Sequence, residues 1–283
     1  MVEIGDYGEY KTAWCPGCGN FPILKAVKQA LVKMNLEPHQ VLFVSGIGQA
    51  AKAPHYLHAN LFNGLHGRAV PVATGAKLAN PNLVVIAESG DGCMYSEGGN
   101  HFLGAIRRNI DITLLAHNNQ VYGLTKGQAS PTSDQGFITR TQPGGVAMAP
   151  FNPIAVAVAM GAGFVARSFS GMEDHLIDVL VKAIQFKGFS LIDVLQPCAS
   201  FNRVNTFKWY KDRCKPLPSS YDPANWREAV MIARKWGDEI PVGIIYRNDN
   251  PPYEKYFPAL EKGPLVGQEL NRSQFTKILE TYG

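Results

Sequence analysis

A carboxylate set between two glycines, Gly90-Asp91-Gly92, is followed downstream by paired amides, Asn118-Asn119. Those residue types suit a diphosphate and a divalent cation. Glycines beside Asp91 would let the backbone approach a phosphate closely and take unusual dihedrals, and a helix starting after them would offer free N–H groups to an anion. Mg²⁺ prefers octahedral oxygen ligands and commonly takes few of them from protein. Asp91, the side-chain oxygen of Asn119 and a backbone carbonyl near Val121 could supply three, with diphosphate oxygens and water completing the shell. The plain alternative is an ordinary turn at Gly90 and a strand cap at Asn118. The Gly123-Leu124-Thr125 loop beyond the amides favours one joint site. A second group is Cys15-x-x-Cys18, before a helix, with Cys198 as a third thiol after a strand end. Such thiols chelate zinc or an iron–sulfur cluster, or form a redox dithiol. His66 could be an acid/base group or a structural hydrogen-bonder.

The elements that must position these residues are legible in the hydrophobic pattern. Short β-branched runs alternate with amphipathic stretches, which predicts an α/β fold with a mostly parallel sheet covered by helices on both faces. Strands are expected at Val41–Val44, Leu83–Ala87, Ile112–Ala116, Phe164–Ala166, Leu191–Leu195 and Val242–Tyr246. Helices are expected near Glu97–Arg108, Pro153–Met160, Met172–Phe186 and Asn225–Trp236, after a first helix capped by Asn20 that carries Ile23, Val27, Leu31 and Met34 on one face. Ser45-Gly46-Ile47-Gly48, the Gly90 turn, Asn118-Asn119 and Gln196-Pro197-Cys198 each follow a predicted strand directly. In open α/β sheets the ligand crevice lies at the carboxyl ends of the strands, so the four segments should converge. The segment from Asn119 to Asn152 is a long polar loop of the kind that is usually functional. The expected organisation is one domain over 1–248 and a Pro-rich arm over 249–283 that turns helical around Arg272–Glu280.

Composition narrows the function classes. A net charge of +4 arises from 27 basic and 23 acidic residues without dense clusters, which argues against a nucleic-acid partner. Neither a signal peptide nor an apolar run long enough for a membrane span is evident, so a cytoplasmic protein is expected. The five cysteines form an odd set, which points to metal, redox or buried thiols over a disulfide framework.

The string Gly90-Asp91-Gly92, Glu97-Gly98-Gly99-Asn100-His101, Asn118-Asn119, Tyr122 to Gln128 and Ser130-Pro131-Thr132 resembles the β subunits of 2-oxoacid:ferredoxin oxidoreductases. Trp14-Cys15-Pro16-Gly17-Cys18-Gly19 and Leu65-His66-Gly67-Arg68-Ala69 belong to the same pattern, and the short N-terminal motif is most similar to the 2-oxoglutarate enzymes. The resemblance implies thiamine diphosphate and Mg²⁺ as cofactors, with Asp91, Asn119 and the Val121 carbonyl on the metal. It places Ser45, Ile47, Gly48, His66, Gly67, Gly90, Gly92, Leu124 and Thr125 beside the cofactor, and Lys52 where a basic residue meets the substrate carboxylate. A solvated Lys52 is the alternative. The implied reaction is oxidative decarboxylation of a 2-oxoacid to an acyl-coenzyme A and CO₂, with electrons passing to ferredoxin. An α subunit would complete the active site, in a heterodimer or a pair of heterodimers.

Cys15, Cys18 and Cys198 match cluster ligands in that family, but its fourth cysteine would follow Gly48, where this chain has Gln49. A [4Fe–4S] cluster is therefore expected with an unidentified fourth ligand, and Cys93 and Cys214 as unligated thiols. The competing readings are a subunit for pyruvate, branched-chain or aryl 2-oxoacids, a non-redox thiamine-dependent decarboxylase or synthase, and a metal-binding module without chemistry.

Overall fold

The computed structural model describes residues 1–269 and 272–282. Its frame is an eight-stranded sheet. The chain lays down β1 (Val41–Ser45), β2 (Asn60–Asn63), β3 (Val84–Gly90) and β4 (Thr113–Asn118), then a two-stranded hairpin of β5 (Val121–Tyr122) and β6 (Gln128–Ala129). It continues through β7 (Phe164–Phe169), β8 (Ser190–Leu195), β9 (Cys214–Pro216) and β10 (Ile240–Arg247). Across the large sheet the order is β2-β1-β3-β4-β8-β7-β10-β9. Every neighbouring pair is parallel except β10 against β7.

Strand alternation builds the two helical layers, because successive side chains point to opposite faces. Phe43, Ile86, Leu115, Ile192 and Val194 face one core, shared with α1 (Asn20–Lys33) and α5 (Glu173–Gln185). Val44, Val85, Ala87, Leu114, Ala116 and Leu191 face the other. That side is covered by α2 (Ala69–Ala79), α3 (Gly99–Arg108), α4 (Pro153–Ala159) and, after the short α6 (Phe207–Arg213), by α7 (Trp226–Ala233). The two-sided parallel sheet agrees with the expected fold class.

The six expected strands are present, mostly extended by a residue or more at their ends. β2, β9 and the β5–β6 hairpin were not foreseen, nor were α2 and α6. β2 reads Asn-Leu-Phe-Asn, is exposed throughout, and sits at the sheet edge, where no buried apolar run is required. Asn60 ties it in by donating to the carbonyls of His39 and Val41. In α2 the buried residues are mostly small, Ala69, Val70 and Ala73, so its periodicity is weak. Asn20 does not cap α1: Gly19 takes that position, and the Asn20 side chain is buried with its Oδ1 2.8 Å from His117 Nδ1. Beyond β10 the chain runs through short 3₁₀ turns to α8 (Arg272–Glu280). Its start is tied down by Asn109, whose Nδ2 donates to the Asn250 carbonyl, and by Glu254, which accepts from the Asp111 N–H. Among the described residues no helix is long and apolar enough to cross a membrane.

Candidate active site

From β1 the chain turns to β2 on one side and then crosses to β3 on the other, which opens a crevice at the carboxyl ends of β1 and β3. A cleft lies there. Ile47, Gly48, His66, Gly90, Gly92, Leu124 and Thr125 line it together with Asp91, Asn119 and Val121. Three residues expected beside the cofactor or substrate stand off these walls. Ser45 is buried at the end of β1, with its Oγ accepting from Asn63 Nδ2. Gly67 supports the wall through its backbone N–H, and Lys52 sits half-buried on the 3₁₀ helix Ala50–Tyr56.

Asp91 is almost completely buried, and among the described residues no Lys, Arg or His forms an ion pair with it. Burial pushes its carboxyl up to about 6, while hydrogen bonds from Ser130 and Thr132 work in the opposite direction. Both hydroxyls donate to Oδ2 at 2.5 Å. Thr132 Oγ1 is also 2.8 Å from Asn118 Oδ1, and the Asn118 amide in turn donates to Asp193. Asn119 Oδ1 accepts from the Val121 N–H at 3.0 Å, an Asx turn that fixes the side-chain oxygen and the Val121 backbone relative to each other. A buried carboxylate without a cation, beside an amide oxygen on the same cleft, is a donor set that a hard divalent ion fits.

The unusual dihedrals expected of the glycines are absent. Neither Gly90 nor Gly92 has positive φ. A Cβ on Gly92 would come within 2.3 Å of the Tyr122 ring, so the need is close packing of the cleft wall. Gly92–Glu97 is a π-helical turn ahead of α3. Its Cys93 is buried, and the sulfur accepts from the N–H groups of Ile47 at 3.5 Å and Gly67 at 3.2 Å. One thiol thus clamps two loops of the cleft, and a Cβ on Gly46 would collide with it at 2.3 Å. At the mouth, His66 Nδ1 lies 3.3 Å from Glu97 Oε2 without hydrogen-bond alignment, and the Tyr122 hydroxyl donates to the same carboxylate.

The three candidate cluster cysteines also meet. Cys15, Cys18 and Cys198 line a second pocket with Asn20, Gln49 and Gln196. Burial raises the Cys18 thiol above its ordinary range. Among the described residues no three His, Cys, Asp or Glu side chains could hold a single metal ion. Thiolates around a cluster each bind a different iron, and so stand farther apart than ligands around one ion. Asn20 Nδ2, Gln49 Oε1 and Gln196 Oε1 are buried on this pocket without hydrogen-bond partners. Unmet buried polar atoms of both signs fit a bound polar group better than an apolar void. Gln49, Asn119 and Gly123 line both the cleft and this pocket. Cys214 does not line it: it lies on the edge strand β9, buried with Phe169, Leu195, Tyr210 and Val242.

Sequence reading missed Gln120. It adopts φ +60°, uncommon for a residue with a side chain, between the two candidate metal ligands. Its Nε2 donates to the Thr132 carbonyl at 2.7 Å and its Oε1 accepts from the Tyr210 hydroxyl at 3.0 Å, which hold it there. Nothing in the residue type announces this role. Ser130 and Thr132 were visible only as part of a motif, since a hydroxyl in a polar loop carries no mark of its partner.

Residues 42–194 match the family model of the thiamine pyrophosphate enzyme C-terminal TPP-binding domain, and residues 198–262 match that of the C-terminal part of the pyruvate ferredoxin oxidoreductase β chain. The β subunit of 2-oxoacid:ferredoxin oxidoreductase 1 from Aeropyrum pernix is 42% identical, with 94% of this chain and 93% of that protein covered. The 2-oxoglutarate synthase subunit KorB of Methanocaldococcus jannaschii is 38% identical, with 88% and 93% covered. Among solved structures, a 2-oxoglutarate:ferredoxin oxidoreductase from Magnetococcus marinus with 2-oxoglutarate, coenzyme A and succinyl-CoA bound has a TM-score of 0.91 at 32% identity. That likeness covers 98% of this chain and 96% of the other.

Proposed function

The chain belongs to the β subunits of 2-oxoacid:ferredoxin oxidoreductases, and from that membership we propose that it binds thiamine diphosphate and Mg²⁺ for the oxidative decarboxylation of 2-oxoglutarate. Coenzyme A takes the acyl group and ferredoxin takes the electrons. The single observation that carries the redox reading is the wall shared by the two pockets. Gln49, Asn119 and Gly123 line both the cofactor cleft and the three-cysteine pocket, so a cluster held by those cysteines would adjoin the cofactor bed.

Thiamine diphosphate, when bound, would supply a nucleophilic carbon and an electron sink for decarboxylation of the 2-oxoacid. The rest is the work of this chain. Asp91, Asn119 and the Val121 carbonyl hold Mg²⁺, and Ser130 and Thr132 fix the Asp91 carboxylate. Ile47, Gly48, Leu124 and Thr125 shape the cofactor bed, with Gly90 and Gly92 in its wall beside the diphosphate. Ser45 and Gly67 brace the loops behind it. Lys52 offers an ammonium to the substrate carboxylate, and His66 a polar contact or proton relay at the mouth. The open side is covered by an α subunit, with the segment 249–283 as an arm beside the domain 1–248.

The test is turnover by the complex of this chain with its co-expressed partner subunit. Reduction of ferredoxin that requires 2-oxoglutarate, coenzyme A and thiamine diphosphate supports the proposal. Equal or better turnover with pyruvate would move the substrate to the sister class. Release of CO₂ without acceptor reduction, from protein lacking iron, would instead make it a non-redox decarboxylase.

A further inference from the structure

Building on the reading that a cluster occupies the cysteine pocket, we propose that the side-chain carbonyl of Gln49 is the ligand of its fourth iron. The cluster is then held by three thiolates and one neutral oxygen, and it gives up that iron when oxidised. Gln49 shares the pocket with Cys15, Cys18 and Cys198, and its Oε1 is buried without a hydrogen-bond partner. An acceptor left unsatisfied in a protein interior is costly, so its persistence beside three thiols points to a cation that completes it. The residue is firmly placed: its backbone carbonyl accepts from Trp14 Nε1 at 2.8 Å and from the Lys52 N–H. Asn20 Nδ2, also unpartnered on this pocket, is a donor of the kind that cluster sulfides accept. The Gln196 amide already donates to the Cys18 sulfur at 3.5 Å. The remaining thiols are committed elsewhere, Cys93 to the N–H groups of Ile47 and Gly67 and Cys214 to the apolar cluster beneath β9.

An amide oxygen is a harder and weaker iron ligand than a thiolate, and it brings no negative charge. The fourth iron is therefore the labile one. On oxidation, [4Fe–4S]²⁺ releases Fe²⁺ and passes one electron to the oxidant, leaving [3Fe–4S]⁺; added Fe²⁺ and one electron from a reductant reverse the step.

The experiment uses the complex with its partner subunit, purified anaerobically and assayed for iron, sulfide and thiamine diphosphate before and after one equivalent of ferricyanide. It includes Gln49→Cys and Gln49→Ala. The unaltered complex should lose about one iron in four and develop the EPR signal of an oxidised three-iron cluster, reversibly with Fe²⁺ and dithionite. Gln49→Cys should keep its iron, and Gln49→Ala should hold about three irons per cluster before any oxidant is added and give the three-iron signal once oxidised. Equal retention by the unaltered and Gln49→Cys complexes, or a Gln49→Ala complex indistinguishable from the unaltered one, overturns the assignment and leaves the cluster reading standing. Thiamine diphosphate without any iron overturns the cluster reading itself, and the assignment with it.

Discussion

Asp91 is set up by its neighbours as much as by its own charge. Two hydroxyls converge on one of its oxygens, and Thr132 links it to Asn118 beyond. Thr132→Val keeps the shape of the side chain while removing the shared hydroxyl. Loss of an outer partner typically costs 10–100-fold in metal affinity, so the substitution should weaken Mg²⁺-dependent binding of thiamine diphosphate by roughly that factor. Calorimetric titration of the complex reads it, and unchanged affinity would remove Thr132 from the metal site. The cysteines separate just as sharply. Burial pushes the Cys214 thiol up to about 12, and since the thiolate is the reactive form, only about one molecule in 10⁴ is reactive there near pH 8. Iodoacetamide should therefore leave Cys214 unmodified in the native complex and alkylate it only after denaturation, as peptide mass mapping would show. The reactive fraction should rise as pH climbs toward 12, the direction set by a raised thiol pKa. Labelling of Cys214 at neutral pH in folded protein would contradict the packing described for β9.

At the scale of elements, the turn from β4 to β5 is where geometry is stored. Gln120 holds left-handed φ between Asn119 and Val121, and its amide bonds to the Thr132 carbonyl and Tyr210 compensate. Gln120→Ala keeps the unfavourable backbone and strands buried partners, which should lower stability by about 2–4 kcal/mol. Gln120→Gly loses the same hydrogen bonds but adopts positive φ freely, and should recover about 1 kcal/mol of that loss. Denaturant midpoints of the two variants give the ranking, and an alanine variant as stable as the glycine one would refute the strain. This turn also marks where sequence reading stops. The buried strands were legible because Val, Ile and Leu runs must be covered on both faces of a parallel sheet. Their order in the chain placed the loops carrying Asp91, Asn119 and Cys198 at one end. Edge strand β2 was not legible, because an exposed edge imposes no apolar pattern. Asn20 was misread as a cap, since an amide before an apolar run looks the same whether it bonds its own helix or His117. The wall shared by the two pockets, and the clamp made by Cys93, are tertiary facts that no local spacing encodes.

At the scale of the whole molecule, the cleft carries apolar side chains that the described residues leave exposed. Ile47 and Leu124 stand on its walls about two-fifths exposed, and Leu65, next to the wall residue His66, is 74% exposed. Such residues gathered around an open cofactor bed suit a partner that closes it, because large apolar groups at the centre of an interface carry most of its binding energy. Leu65 contributes little to the core, so Leu65→Glu should change the stability of the isolated chain by no more than about 0.5 kcal/mol. In the complex the same charge would be forced into the interface, and loss of one central anchor costs about 2 kcal/mol or more, roughly thirtyfold in affinity. Size-exclusion chromatography of the co-expressed subunits should show the variant chain eluting apart from its partner at concentrations where the unaltered pair stays together. Thiamine diphosphate affinity should then fall to that of the isolated chain, because the cleft is left open on the same side. If the Leu65→Glu chain co-elutes normally and binds the cofactor as tightly as before, the partner closes the cleft from another direction and this rim is not its seat.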